Sequence, residues 1–410
     1  MTPRLRILIL SQYYWPETFR ITEVVQALRD EGCEVLVLTG QPNYPKGVSF
    51  KGYSWWSIGR EEHEHVTILR VPLIPRGRNC AICMACNYLS FVLSAAVFGP
   101  WLLRGLLFDS VLVFAPSPIF QVIPAIWLAK LKKASLATWI QDLWPESLAD
   151  TGYVRNPRIL AMVSGVVRWI YRKNNLLLVS SKAFIDPVKG MSGGVPVLYH
   201  PNPGDFAFSG PPKEQDCPIK FGSGFNVVFT GNLGTVQALG TILDSAEMLL
   251  SESEIRFYLV GEGSQVDWLR SEISSRNLTN VELPGRFDLI DMPLIMSQAS
   301  ALLVSLVRSQ IMSKTVPSKV QAYLASGKPI IASLDGEGAR IISEAGAGLV
   351  SHAEDAKGLA QSITSLRNMS PVEREVIGNN ARAYYVANYD PRFLSDKLKG
   401  LLHFSHGDFR

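Results

Sequence analysis

The sequence predicts an α/β protein built of two Rossmann-like domains in tandem, and three observations carry that expectation. Short apolar runs alternate with segments of helical period along most of the 410 residues, and strands separated by helices imply parallel sheets. The alternation breaks once, in PNPGDFAFSGPPKEQDCPIKFGSGF, a stretch rich in Pro, Gly and polar residues, and then resumes. A 47% apolar fraction at this length is enough for two separate cores.

Each element follows from its local pattern. In the first domain, residues 1–203, RILILS is a strand and ITEVVQALRDEG a helix with Ile21, Val24, Val25 and Leu28 on one face. CEVLVLTG, VTILRVPL, SVLVFAP, LATWIQD and LLLVSS are further strands. Residues 204–224 are the expected hinge. The second domain, residues 225–385, reads as FNVVFTG, a helix around ALGTILDSAEMLL, IRFYLVGEG, VELPG, ASALLVSLV and PIIASL, with helices between. Residues 386–410 read as a terminal helix expected to pack back toward the first domain. Two such domains facing each other across a hinge would leave a cleft, a usual place for a small-molecule site.

Composition narrows the partners. A net charge of +4 and a charged fraction of 19% fit neither a strongly basic nucleic-acid binder nor an acidic tail. Five cysteines, an odd number in a long chain, suggest a reducing, cytoplasmic compartment. CAICMAC has the look of a metal motif, but no fourth ligand stands nearby and its three-residue spacing also fits a helix face, so no metal is expected. The opening MTPRLRILILSQ has too short an apolar run for a signal peptide and reads as a strand. NYLSFVLSAAVFGPWLLRGLLF, interrupted by Pro100 and Arg104, reads as bilayer-seeking without spanning, or else as a buried helix. Arg70, Arg76 and Arg78 precede it, and VVRWIYRKNN mixes Arg168, Arg172 and Lys173 with Trp169 and Tyr171, so an anionic membrane surface is an expected partner.

The ligand signals lie in the second domain. SQYYWPETFR lacks the G-x-G-x-x-G fingerprint, which argues against a dehydrogenase. After FNVVFT, Gly231 and Gly234 let backbone approach a ligand while Asn232 offers an amide, and LVGEGS is a second glycine turn. Pro317 suits the start of a helix with Ser318 and Lys319 in its first turn and Val320, Tyr323 and Leu324 on its apolar face. Such an N-terminus at the carboxyl edge of a sheet, with Lys314 and Lys319 beside it, suits a phosphate. The alternative is an ordinary crossover helix with a solvated start.

SQYYWPETFRITEVVQALRDEGCEVLVLTGQPNYPKG, QDLWPESLADTG, FTGNLGTVQALGTI and VPSKVQAYLASGKPIIASLDGEGARIISEAGAG together resemble family 4 glycosyltransferases. The nearest branch is the bacterial one with L-fucosamine transferases of O-antigen and capsule assembly. The resemblance implies a GT-B fold, a nucleotide-diphosphate sugar donor on the C-terminal domain, UDP-linked by expectation, and retention at the anomeric carbon without metal or other cofactor. It implies a polyprenyl-diphosphate-linked acceptor on the N-terminal domain, hence a peripheral location at the inner face of the cytoplasmic membrane. By position, Gly231, Asn232 and Gly234 match the turn under the donor diphosphate, and Ser318 and Lys319 match the helix start near the phosphates. Gly336, Glu337 and Gly338 match the loop closing over the donor. Glu17, Arg20 and Tyr44 fall on the acceptor side, and Asp142 near the reacting carbon.

Transfer requires stabilisation of a leaving diphosphate, which fixed cations and helix N–H groups supply; Lys319, Lys314 and Arg286 are the candidates, in that order. Asp142 or Glu337 would offset charge growing on the sugar ring or orient an acceptor hydroxyl, while a turn cap is the alternative for Asp142. The family's usual pair of glutamates falls here on Lys314 and Ala322, leaving Glu337 or Gln321 to replace the ribose contact. The family's usual basic residue in the first glycine helix is Thr235 or Gln237. These departures keep a non-catalytic nucleotide-sugar or membrane-partner binding protein in view, and a sugar-nucleotide epimerase behind it.

Overall fold

The computed structural model describes residues 4–77, 81–150, 154, 156–208 and 216–407. Arg78, Cys80, hinge residues 209–215 and the last three positions lie outside them. Contacts divide the chain into unit 1, Met1–Asn202 with Pro391–Arg410, and unit 2, Pro203–Asp390. The later boundary thus falls at Pro391 rather than at residue 386.

Unit 1 runs β1 (Arg6–Leu10), α1 (Ile21–Asp30), β2 (Glu34–Gly40), β3 (Gly59–His63), β4 (Val66–Val71), α2 (Ala81–Leu102), β5 (Ser110–Ala115), α3 (Val122–Lys132), β6 (Ser135–Ile140), α4 (Glu146–Asp150), α5 (Pro157–Tyr171), β7 (Leu176–Val179), α6 (Ile185–Ser192) and β8 (Val197–Tyr199). Its sheet has the order β3-β4-β2-β1-β5-β6-β7-β8, all parallel except β3 against β4. The central strands β5 and β6 are buried at every position, as continuous apolar runs under helices on both faces require. β3, with the sequence GREEH, alternates partly buried and exposed residues at the sheet edge.

Unit 2 runs β9 (Phe225–Thr230), α7 (Leu239–Met248), β10 (Ile255–Val260), α8 (Val266–Ser275), β11 (Val281–Gly285), α9 (Met292–Ser297), β12 (Ala301–Ser305), α10 (Gln310–Lys314), α11 (Ser318–Ser326), β13 (Ile330–Ser333), α12 (Glu337–Glu344), β14 (Gly348–Ser351), α13 (Ala356–Asn368) and α14 (Pro371–Tyr389). Its parallel sheet has the order β11-β10-β9-β12-β13-β14. The last helix, α15 (Pro391–Gly407), returns to unit 1. There Lys399 donates to the Glu31 carbonyl at 2.6 Å, and the Leu402 carbonyl accepts from Ser110 at 3.0 Å.

The membrane-seeking segment is helical but begins earlier than its apolar run, at Ala81. Buried Asn87, Phe91 and Ala95 set its inner face. Arg70 is corrected as a membrane contact: it is 1% exposed, pairs with Glu61 at 2.5 Å and donates to the Gly40 carbonyl at 2.9 Å. Cys33, Cys86 and Cys217 are thiols, whereas Cys83 is disulfide-bonded, a departure from an all-thiol chain.

Candidate active site

In unit 2 the chain leaves β9 toward one side of the sheet and β12 toward the other, so the crevice beyond their carboxyl ends is the switch point where open α/β sheets bind ligands. Gly231 follows β9 with φ +114°, backbone that glycine adopts readily, and a Cβ there would sit 3.0 Å from Lys319 Cε. Lys319 therefore arches over the glycine turn. Its ammonium lies 3.6 Å from the Phe229 ring centroid and donates to Gln237 Oε1. Burial pushes it down to about 7, and no neighbouring carboxylate contributes to the shift. A desolvated cation held only by an amide and an aromatic face is unfavourable until an anion arrives.

The supports are equally specific. Pro317 caps α11 with extended backbone, leaving Ser318 exposed at the first turn. The Tyr323 hydroxyl accepts from the Thr230 N–H at 2.9 Å and donates to the Leu303 carbonyl at 3.1 Å, fixing α11 against the ends of β9 and β12. A Cβ on Gly261 would stand 1.8 Å from the Gly231 carbonyl oxygen, and one on Gly263 2.3 Å from that of Leu233. The two glycine turns thus touch backbone to backbone. Asn232 folds over Gly234, whose Cβ would be 2.6 Å from Asn232 Nδ2.

Gly336 and Gly338 do the same for α12. A Cβ on Gly336 would lie 1.9 Å from the Ser313 carbonyl oxygen, and one on Gly338 3.3 Å from Pro317 Cδ, so the starts of α11 and α12 pack against each other. Two helix N-termini then converge on the carboxyl edge, an arrangement that favours an anion. Glu337, the expected catalytic carboxylate of this loop, is engaged within its own helix. Both of its oxygens are held by Arg340 one turn on, at 3.0 and 3.1 Å, and the pair holds the guanidinium well above its ordinary value. Arg286 follows the edge strand β11, is largely exposed, and faces Glu262 at 3.6 Å. Lys314 ends α10, Ala322 packs against the apolar core of α11, and Gln321 is buried.

The carboxyl edge of unit 1 is built differently. Glu17 is buried and accepts the backbone N–H groups of Tyr14, Asn43 and Tyr44 at 3.2, 2.8 and 2.7 Å, joining the loops after β1 and β2. Burial pushes its carboxyl up to about 7 despite those hydrogen bonds. Tyr44 joins Tyr13 and Phe19 in an aromatic cluster, with the Arg76 guanidinium 5.2 Å from its ring centre. Arg20 pairs with Glu23 at 3.1 Å. Asp142 accepts from Ser117 at 2.9 Å and from Ser147, while Trp144 Nε1 donates to Ser117 at 2.8 Å; burial raises the Asp142 carboxyl. With an oxygen held by each serine, Asp142 has the geometry of a clamp between the loops after β5 and β6, the capping alternative.

The contacts that Gln237 and Phe229 make with Lys319, and the hydrogen bonds of Tyr323, are not legible in the sequence. Gln237 and Phe229 reach Lys319 through the fold alone. Tyr323 reads as one more apolar position at helical spacing, although a hydroxyl on a buried face needs partners and was the available clue.

Set beside known proteins, the chain superposes over nearly its full length on solved two-domain glycosyltransferases, and its fold is GT-B. The E. coli trehalose-6-phosphate structure bound with UDP-2-fluoro glucose matches with TM-score 0.70 at 13% identity, over 97% of this chain and 99% of that one. The Anabaena Alr3699/HepE structure in complex with UDP matches with TM-score 0.66 at 13% identity, with the same coverage. At those identities the likeness is one of fold. Residues 224–368, which lie within unit 2, match the family model Glycosyl transferases group 1. A more particular likeness is to a protein of Escherichia coli K12 provisionally described as the colanic acid biosynthesis glycosyl transferase WcaI. It is 23% identical over 344 residues, 79% of this chain and 82% of that one.

Proposed function

We propose that this glycosyltransferase moves a sugar, an N-acetylated hexosamine or deoxyhexosamine, from a UDP-linked donor to a polyprenyl-diphosphate-linked sugar during O-antigen or exopolysaccharide assembly. The observation that carries the reading is Lys319, a half-buried cation with neutral partners above a glycine turn. A donor diphosphate would supply the missing counter-charge, and charge collecting on the leaving UDP would strengthen that contact in the transition state. The starts of α11 and α12 add N–H groups, so the residues present can stabilise the leaving group without a metal. Retention at the anomeric carbon follows the group's usual chemistry. The likeness to WcaI supports exopolysaccharide assembly, and the UDP in the neighbouring structures supports the base. A lipid-linked acceptor would in turn favour a peripheral position at the inner face of the cytoplasmic membrane.

The test is to incubate purified protein with UDP-N-acetylhexosamines, UDP-N-acetyl-L-fucosamine included, and polyprenyl-diphosphate-N-acetylglucosamine, and to seek a disaccharide lipid by mass spectrometry. A product that vanishes in Lys319→Ala upholds the proposal. A second reading has one observation in its favour: Lys314 and Ala322 stand where the family carries glutamates. Saturable UDP binding with no product across donor and acceptor panels would favour that non-catalytic binding protein.

A further inference from the structure

The helices over one face of the unit 1 sheet carry apolar side chains into solvent and cations at their ends. In α2, Ile82, Leu89, Leu93, Val97 and Trp101 are all more than half exposed, on the side opposite buried Asn87, Phe91, Ala95 and Gly99. The spacing of four on both sides makes this a helix of two faces, one in the core and one without a partner. A Cβ on Gly99 would stand 3.2 Å from Leu128, so α3 crosses close beside α2. It exposes Trp127 and Leu131. The next helix, α5, packs on α3 and exposes Ile159, Met162 and Trp169. An apolar face spread over three neighbouring helices is more than a soluble protein carries by chance.

The charges select its partner. No Asp or Glu occurs in α2, α3 or α5. Exposed cations gather where the helices end: Arg104 after α2, Lys130 and Lys133 at α3, Arg168, Arg172 and Lys173 at α5. The ends of α2 and α3 are tied together, since Lys132 donates to the Leu103 and Leu106 carbonyls, the latter at 3.0 Å. An apolar face bordered by like-signed cations and exposed indoles matches a bilayer interface with anionic headgroups. Because the inner face of α2 belongs to the unit 1 core and holds Asn87 in a polar network with Gln12 and Tyr13, the helix lies against the bilayer and does not cross it.

We infer that α2, α3 and α5 form one docking face for an anionic lipid surface, with the basic helix ends at the headgroups and the apolar residues between them inserted. The inference deepens the lipid-linked-acceptor reading and rests on it for its purpose, not for its evidence.

Flotation of the full chain with phosphatidylcholine vesicles, with and without phosphatidylglycerol, tests it. Binding is expected to require phosphatidylglycerol and to weaken as salt rises from about 0.1 M to about 1 M, where the screening length falls from about 10 to about 3 Å. Lys130→Gln with Lys133→Gln should reduce partitioning roughly five-fold per cation. Leu93→Asp with Trp127→Asp should abolish it. Leu103 is a poor probe because it is fully buried. Each variant is checked by calorimetric UDP binding, which reports unit 2 and stays unchanged. Equal, salt-insensitive binding to neutral vesicles would overturn the anionic-surface assignment. Absence of flotation by wild type that still binds UDP would overturn the docking face, and a dimer abolished by Leu93→Asp would reassign it to a second copy of the chain. Flotation without UDP binding would leave the docking face standing and remove the transferase reading.

Discussion

The carboxyl edges of the two sheets solve the same problem with opposite electrostatics. At the edge of unit 1 the buried charge is negative and already satisfied: Glu17 accepts three backbone N–H groups, and Asp142 accepts two serine hydroxyls. At the edge of unit 2 the charge is positive and half-buried, and among the described residues it meets an amide oxygen and an aromatic face. At the first edge both carboxyls are satisfied by neighbouring donors of the same unit. At the second, a donor diphosphate is the counter-charge that the proposed function supplies. Preorganisation of this kind costs stability in the free protein and returns it as binding and leaving-group stabilisation.

The largest effect expected from this difference is at Lys319. Lys319→Ala should lower transfer about 100-fold or more, about 3 kcal/mol, as removal of one preorganised donor does elsewhere. Lys319→Arg should not restore it, because a planar guanidinium does not fit the position of a point charge over the Phe229 ring. The free variant should unfold at a higher temperature than wild type, since an unpaired buried cation is gone. Activity within a few-fold of wild type would break the comparison outright.

Next comes the backbone contact that holds the glycine turns together. Gly261 has φ +151°, and a Cβ there overlaps the Gly231 carbonyl at 1.8 Å, so Gly261→Ala should destabilise unit 2 by about 2–3 kcal/mol. Gly32 in unit 1 also has positive φ, +85°, but open space beside it. Gly32→Ala should cost only the conformational term, about 1 kcal/mol. Denaturant melts of the two variants separate contact from conformation.

The two buried charges also predict opposite pH trends. Glu17 is raised to about 7 from an ordinary 4.5, so the folded state binds more protons than the unfolded between those values. Its contribution to stability is present below 4.5 and is lost as pH rises through 7. Lys319 is lowered to about 7 from 10.5, so there the unfolded state binds more protons, and its contribution grows as pH rises from 7 to 10.5. Glu17→Gln and Lys319→Met should each flatten its own window, by at most about 1.4 kcal/mol per pH unit. UDP binding above pH 7 should be accompanied by proton uptake, which calorimetry in buffers of different ionisation enthalpy reads directly. Uptake that persists in Lys319→Met would assign the proton elsewhere.

Much of this contrast is legible in the sequence, and its limits are physical. The strands of unit 2, the start of α11 and the glycine turns follow from apolar runs, Pro317 and Gly231, because those signals are local. β3 escapes notice because GREEH carries no apolar alternation and is held by pairing with β4. The states of the carboxylates are also invisible: Glu337 and Asp142 look like acids waiting for a sugar until the fold supplies Arg340, Ser117 and Ser147 as partners. The partial burial of Lys319 is likewise hidden, since a lysine in a first turn usually reaches solvent and here the ring of Phe229, ninety residues earlier in the chain, and the amide of Gln237 hold it in.

The smallest predicted effect is the most discriminating for the extent of the anion site. Arg286 carries the same charge as Lys319 and follows a strand of the same sheet, but β11 lies two strands from β9, about 10 Å at ordinary strand spacing. Its side chain is 71% exposed, and its pairing with Glu262 at 3.6 Å is of the kind worth little in water. Arg286→Ala should therefore change stability by less than about 0.5 kcal/mol and donor affinity by less than about three-fold, with the residual effect disappearing at high salt. A salt-insensitive loss of tenfold or more would mean that the bound donor draws Arg286 inward. The anion site would then span β9 to β11, and Lys319 would share a distributed charge rather than hold the diphosphate alone.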